Sequence, residues 1–117
     1  MKTVGTAVAF YRRSDGALVG YRVEGHSGYA EAGEDIVCAA VSVLTQTTLN
    51  GLQDVIRVPV MYEIDDRTAF LEARLTPEAN ENQLRQAQIL LETLHQGLQA
   101  IERSYPRNVR IFFEERR

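Results

Sequence analysis

Two strand-like segments joined by a turn constrain the fold of this chain most strongly. Residues 3–11 and residues 17–24 alternate between bulky apolar side chains and smaller or polar ones, with Ser14-Asp15-Gly16 between them. This pattern predicts a β-hairpin. Because a hairpin joins antiparallel strands, a purely parallel, doubly wound sheet is excluded.

A second hairpin is predicted over residues 55–63 and 67–75, around the Asp65-Asp66 pair. Pro59 has no backbone N–H to donate to a strand ladder. We therefore expect its strand to lie at a sheet edge or to carry a bulge.

Two helices are predicted between and after the hairpins. Residues 36–49 are nearly all apolar, and this pattern alone fits either a buried strand or a buried helix. An acidic start and a following Asn50-Gly51 stop favour a helix, with Asp35 as a good N-cap. A long amphipathic helix is predicted over residues 80–104, where packing on a sheet is favoured over a coiled coil.

With a last strand over residues 109–113, the predicted order of elements is ββαββαβ. This order indicates an α+β fold with two helices on a mixed, mostly antiparallel sheet. A length of 117 residues predicts a single domain over 1–117, large enough to bury a core.

Composition argues against several classes of function. One cysteine and two histidines are too few for a structural zinc site, and no metal or cofactor is predicted. The lone cysteine cannot form an internal disulfide, which favours a cytoplasmic location. A net charge of −3 indicates no direct nucleic-acid binding. No signal peptide is recognised, and no apolar stretch approaches the roughly 20 residues that span a bilayer, so no membrane contact is predicted.

The residues with reactive chemistry lie between His26 and Cys38. If Asp35 is the N-cap, Cys38 lies in the first helical turn, where free N–H groups and the helix dipole favour a thiolate and could hold an oxyanion. His26 would be the base of a Cys–His pair. Asp35 is then either the helix cap or the residue that orients His26.

Simpler structural interpretations compete with this site. A lone cysteine in an Ala/Val-rich helix is usually a small buried side chain, and from the residues alone this is favoured for Cys38. Ser42 lies one turn beyond Cys38 and shares its face, where a core hydroxyl is the commoner role. Loop histidines such as His26 are usually solvated.

The run from Gly25 to Ser42 resembles the signature of the ribosomal-processing cysteine protease family, Prp. It consists of Gly25-His26-Ser27-Gly28, then Gly33-Glu34-Asp35-Ile36-Val37-Cys38-Ala39-Ala40-Val41-Ser42. The block that begins at Asp35 and the glycine–histidine pair at the right distance make the match specific. Ser27 stands where the family more usually has Ala.

The resemblance implies a cytoplasmic cysteine endopeptidase that removes a short N-terminal extension from the large-subunit ribosomal protein numbered twenty-seven. Its partner would be the N-terminal segment of that precursor. It implies a homodimer and a loop over residues 27–34 that gates the site. It makes Cys38 the nucleophile, His26 the base and Asp35 a supporting residue. The expected substrate-binding residues are Gly25, Gly28, Gly33 and Ser42.

Two other functions are weighed against the protease. One is a non-catalytic ribosome-assembly binding module in which Cys38 is a buried structural residue. The other is a redox-sensing thiol, which would need an intermolecular partner because the chain has no second cysteine. The family resemblance favours the protease over both.

Overall fold

The chain folds in the predicted order, ββαββαβ. A computed structural model describes residues 5–25 and 32–116, apart from the side chains of residues 32–35. A π-helical turn, Gly51–Val55, continues the first helix. The elements are β1 (Thr6–Arg12), β2 (Leu18–Glu24), α1 (Ala32–Asn50), β3 (Val60–Asp65), β4 (Phe70–Leu75), α2 (Glu81–Ser104) and β5 (Val109–Glu115).

The five described strands form one mixed sheet in the spatial order β3-β4-β2-β1-β5. Both hairpins are antiparallel, β2 and β4 pair antiparallel at the centre, and β5 returns parallel to β1. The parallel return requires a crossover, which α2 supplies. Pro59 directly precedes β3, and β3 is an edge strand, as expected of the strand next to this proline.

The hydrophobic core lies between one face of the sheet and the two helices. Residues two apart on a strand share a face, so Val8 and Phe10 of β1 both point into the core. Leu91 and Leu98 of α2 are fully buried against this face. Truncating such a leucine to alanine typically costs about 2–5 kcal/mol in free energy of unfolding.

The N-terminus of α2, predicted at residue 80, is closed by a capping box in which Asn80 is the N-cap. The Gln83 backbone N–H donates to Asn80 Oδ1 at 2.8 Å, and the Asn80 backbone N–H donates to Gln83 Oε1 at 2.9 Å. Two backbone donors that have no partner within the helix are thereby satisfied. The helix ends at Ser104, two residues before Pro106.

The start of α1 differs from the prediction. The helical backbone begins at Ala32, so Asp35 is the fourth residue of the helix and the predicted N-cap at Asp35 is wrong. Ala32 and Glu34 are both strong helix formers. Acidic residues are favoured throughout the first turn as well as at the cap, so the acidic pair did not locate the boundary.

The second hairpin is also shorter than predicted. Its first strand begins at Val60 rather than residue 55, because the chain first continues from α1 as the π-helical turn. Arg57 then adopts a left-handed φ of 56° before the strand starts. At the other end of the chain, β5 extends to Glu115, two residues beyond the predicted end.

Candidate active site

A groove runs between α1 and the tip of the second hairpin. Its volume is about 150 Å³. Cys38, Ser42 and Gln46 line its helical wall, while Val23 and Leu71 from the sheet form its floor. Ile64 and Phe70 line the opposite side, near the tip of the hairpin.

The helical wall follows from spacing along α1. Residues four apart lie one above the other on a helix, which places Cys38, Ser42 and Gln46 on the same side. Val37 and Val41 are buried in the core, so Cys38 lies at the border between the core and solvent. The thiol is half-buried and lines the groove, in contrast to the fully buried cysteine that the residues alone favoured.

The position of Cys38 within the helix changes the chemistry expected of its backbone. Cys38 is the seventh residue of α1, so in the α-helical pattern its N–H donates to the carbonyl of Glu34. The expectation that the amides of residues 36–38 are free to hold an oxyanion is therefore wrong. The dipole effect also falls off within the first turn, and Cys38 lies beyond that turn.

A buried hydrogen bond attaches the helical wall to the sheet. The phenol of Tyr21 on β2 donates to the main-chain carbonyl of Thr45 at 2.7 Å, and the Thr45 hydroxyl donates to the carbonyl of Val41 at 2.8 Å. Burial raises the pKa of Tyr21 well above its ordinary value of 10.0, so the phenol remains a donor at neutral pH. The groove thus has one wall attached to its floor.

Gly25 and Ser42, two of the predicted substrate-binding residues, line the same groove as Cys38. Gly25 ends the first hairpin with a φ of +82°, a conformation that glycine adopts without steric cost. His26 and Gly28 lie outside the described residues. Gly33 lies in the first turn of α1, and the side chain of Asp35 is not among those described.

The residues that sequence reasoning missed come from the second hairpin. Ile64, Phe70 and Leu71 line the groove, although the sequence predicted this hairpin around Asp65-Asp66 without assigning it any part in the site. Asp65 accepts a hydrogen bond from the Arg67 backbone N–H at 3.0 Å, which shapes the turn next to the groove. Ile64, Phe70 and Leu71 share only their closeness to the hairpin tip. This closeness indicates a site only once the tip is known to face Cys38.

Among the described side chains, those of residues 5–25 and 36–116, no group of His, Cys, Asp or Glu could hold a metal ion. In the same part of the chain, no helix is both long and apolar enough to cross a membrane.

A half-buried thiol that lines a groove is the arrangement that a cysteine peptidase needs for its nucleophile. A family model described as cysteine protease Prp matches residues 6–110 of the chain. The protein belongs to this family of ribosomal-processing cysteine proteases, and it is therefore an enzyme of the cysteine-peptidase class.

Curated relatives cover most of the chain. The ribosomal processing cysteine protease Prp of Bacillus subtilis is 30% identical over 105 residues, which span 88% of this chain and 93% of the relative. Its counterpart in Staphylococcus aureus strain Mu50 is 27% identical over 100 residues, spanning 86% of this chain and 91% of the relative.

Solved structures share the fold. The S. aureus protease Prp in complex with a substrate peptide superposes with a TM-score of 0.81 at 24% identity, over 93% of this chain and 99% of that chain. SMU.848 from Streptococcus mutans gives the same TM-score at 26% identity, over 97% of each chain. The first of these likenesses concerns the fold alone.

Proposed function

We propose that the protein is a cytoplasmic endopeptidase that removes a short N-terminal extension from the large-subunit ribosomal protein numbered twenty-seven. The observation that carries the proposal is the placement of Cys38 in a groove beside Gly25, the residue that precedes His26. The relatives named as ribosomal processing proteases support this class of substrate. The whole chain, 1–117, is proposed to be one protease domain.

In the proposed reaction, the Cys38 thiolate attacks the carbonyl carbon of the scissile peptide bond. His26, protonated by the thiol, gives that proton to the leaving amine as the C–N bond breaks, and a thioester remains on Cys38. A water molecule then loses a proton to His26 and attacks the thioester. The C–S bond breaks, the carboxyl product leaves, and the Cys38 thiolate takes the proton back from His26.

Asp35 is proposed to support His26, since its helix-cap role is excluded by the start of α1 at Ala32. Replacing Asp35 with Asn should lower kcat at least tenfold while the free energy of unfolding falls by less than about 1 kcal/mol, the usual range for a charge near a helix N-terminus. An unchanged kcat would remove Asp35 from the site.

Gly25 and Ser42 are proposed to contact the substrate, because both line the groove with Cys38. Gly28 and Gly33 are proposed as further substrate-binding residues on the family resemblance.

The test of the proposed function is direct. The protein is incubated under reducing conditions with a synthetic peptide that spans the N-terminus of the host's ribosomal protein precursor, and the products are read by mass spectrometry. Wild-type protein should cut the peptide once, whereas Cys38→Ala and His26→Ala should each abolish cleavage. Thermal unfolding of both variants controls for folding, and an intact peptide with wild-type protein contradicts the proposal.

Alkylation separates the protease from the non-catalytic binding module. In the protease, the Cys38 thiol should react rapidly with iodoacetamide near pH 6, and the rate should fall in His26→Ala. A thiol that reacts only after unfolding would favour the binding module instead.

We also propose that the protein acts as a homodimer, and the outer side of α1 supports this. No charged residue occurs between Asp35 and Asp54, while Ile36 and Val43 are 62% and 63% exposed. These two residues lie seven apart, which places them on the same side of the helix. An exposed, uncharged apolar surface is typical of an interface.

Light scattering during size-exclusion chromatography tests the dimer. Wild-type protein should elute with twice the mass of the chain, and Val43→Asp should shift it to the monomer. Ile89→Asp, at an exposed apolar position on α2, is the matched control. A monomeric wild-type protein would contradict the dimer without affecting the proposed reaction.

A further inference from the structure

The apolar lining of the groove continues onto the edge strand β3. Ile64 pairs with Leu71 and Tyr62 pairs with Ala73 in the antiparallel register of the second hairpin. Residues directly opposite each other in such a pair project to the same face of the sheet. Leu71 and Ala73 belong to the core beneath the helices, so Tyr62 and Ile64 also project to the helix-bearing face.

Tyr62 and Ile64 nevertheless remain open to solvent. Their exposed fractions are 53% and 43%, whereas Ala73 on the neighbouring strand and Tyr21 on the central strand are fully buried. Exposure therefore rises from the centre of the sheet toward the β3 edge, where the helices no longer cover it. Large apolar side chains on an uncovered edge strand are unusual in soluble proteins and mark a surface that contacts another chain.

We propose that Tyr62 and Ile64 form an apolar shelf that binds two side chains of the substrate, two residues apart, in an extended segment of the peptide. The shelf deepens the proposed function and rests on it. Same-face residues of a strand lie about 7 Å apart, which is also the spacing of alternate side chains in an extended peptide. Shelf and peptide therefore have matching periods.

The occupant follows from continuity with the groove. Ile64 lines the groove that contains Cys38, and Tyr62 lies two residues further along the same face of the strand. A peptide with its scissile bond at Cys38 and its chain along β3 would meet Ile64 first and Tyr62 two residues later. A second copy of the chain already has a proposed surface, the exposed side of α1 with Ile36 and Val43, so the shelf is not needed for the dimer.

The experiment compares three threonine variants, Ile64→Thr, Tyr62→Thr and Met61→Thr. Threonine is β-branched and keeps the strand propensity, so folding is preserved while apolar contact is lost. Met61 is the matched control, because it is 56% exposed on the same strand but pairs with Arg74, which places it on the opposite face. Thermal unfolding confirms that the variants are folded.

For cleavage of the ribosomal-precursor peptide, each shelf variant should raise KM about tenfold with kcat within twofold, and Met61→Thr should change neither. In a Cys38→Ala background, fluorescence anisotropy of the labelled peptide should show the same loss of affinity. Substituting two apolar peptide residues at alternate positions with serine should remove the difference between wild type and the shelf variants.

Shelf variants that cleave and bind like wild type would overturn the shelf and leave the proposed reaction intact. Conversely, if wild type fails to cleave but Cys38→Ala binds the peptide through Tyr62 and Ile64, the reaction is wrong and the shelf stands. If the shelf variants change the oligomeric mass instead of peptide binding, a second copy occupies the surface and the proposal fails.

Discussion

Tyr21 on β2 and Thr45 on α1 are joined by a buried hydrogen bond of 2.7 Å from the phenol to the main-chain carbonyl. The bond connects residues 24 positions apart and links the floor of the groove to the wall that carries Cys38. The angle of α1 on the sheet, and with it the position of the thiol, depends on this contact as well as on apolar packing.

Tyr21→Phe tests that relationship. The ring still fills its site, so the loss is confined to the hydrogen bond, and we expect the free energy of unfolding to fall by about 1 kcal/mol in urea titrations at pH 7. Tyr105→Phe is the control, because within the described residues the Tyr105 hydroxyl makes no hydrogen bond. Equal stability of Tyr21→Phe and wild type would show that the bond contributes nothing net.

Alkaline pH should destabilise the protein. Burial raises the pKa of Tyr21 above 10.0, and burial together with the hydrogen bond to Glu72 raises the pKa of Tyr11. Above pH 10 the unfolded chain releases these protons while the folded chain keeps them. Stability is therefore complete below pH 10 and falls as pH rises above it, by up to about 1.4 kcal/mol per pH unit for each tyrosine.

Urea titrations between pH 9 and pH 11 measure this slope. Tyr21→Phe should remove the contribution of one tyrosine and give a shallower decline than wild type. Identical slopes in the two proteins would mean that Tyr21 ionises as readily in the folded state as in the unfolded chain.

An ion pair on the face of the sheet opposite the helices should contribute to stability at neutral pH. Arg22 donates to both carboxylate oxygens of Glu114, at 2.7 and 3.2 Å, across the intervening strand β1. The hydrogen bond from Arg22 lowers the pKa of Glu114 below its ordinary value of 4.5. The stabilisation is present above pH 4.5 and is lost as pH falls through the lowered pKa.

Glu114→Gln should therefore lower the free energy of unfolding at pH 7 by about 1 kcal/mol, a modest loss because partial exposure weakens the pair. The loss should be smaller at pH 3, which lies below the pH range in which the stabilisation is complete. The neighbouring Glu115→Gln is a matched control, since Glu115 makes no ion pair among the described residues. A loss that is equal at both pH values would show that charge on Glu114 is not its source.

Gly20 permits the close approach of β2 and β4. A Cβ atom at this position would lie 2.4 Å from the Ala73 carbonyl oxygen and 3.1 Å from the Tyr11 ring. Because the nearer atom belongs to the backbone, Gly20→Ala must separate the strands, and we expect a loss of about 3 kcal/mol in thermal or urea unfolding.

Gly16→Ala provides the contrast for Gly20. No atom lies within 4 Å of a Cβ built at Gly16, so only the strain of its φ of +93° remains, and we expect about 1 kcal/mol. A loss for Gly20→Ala no larger than for Gly16→Ala would show that the strands adjust without cost.

Local signals in the sequence determined the order of the elements, the start of α2 at its Asn80 cap and the motif from Gly25 to Ser42. These features depend on neighbours in the chain, such as the Asn80–Gln83 capping box and the four-residue spacing that puts Cys38 and Ser42 on the same side of α1. The reactivity of Cys38, in contrast, was not decided by the residues alone, and the family resemblance was needed to favour it.

Only the tertiary structure decided which surfaces meet at the site. The return of β5 beside β1, the edge position of β3 and the placement of Ile64 opposite Cys38 all arise from packing between segments far apart in the chain. The start of α1 at Ala32 was missed because acidic residues suit both a cap and a first turn. The pairing of distant strands is set by the free energy of burying their apolar faces together, which no short window of sequence contains.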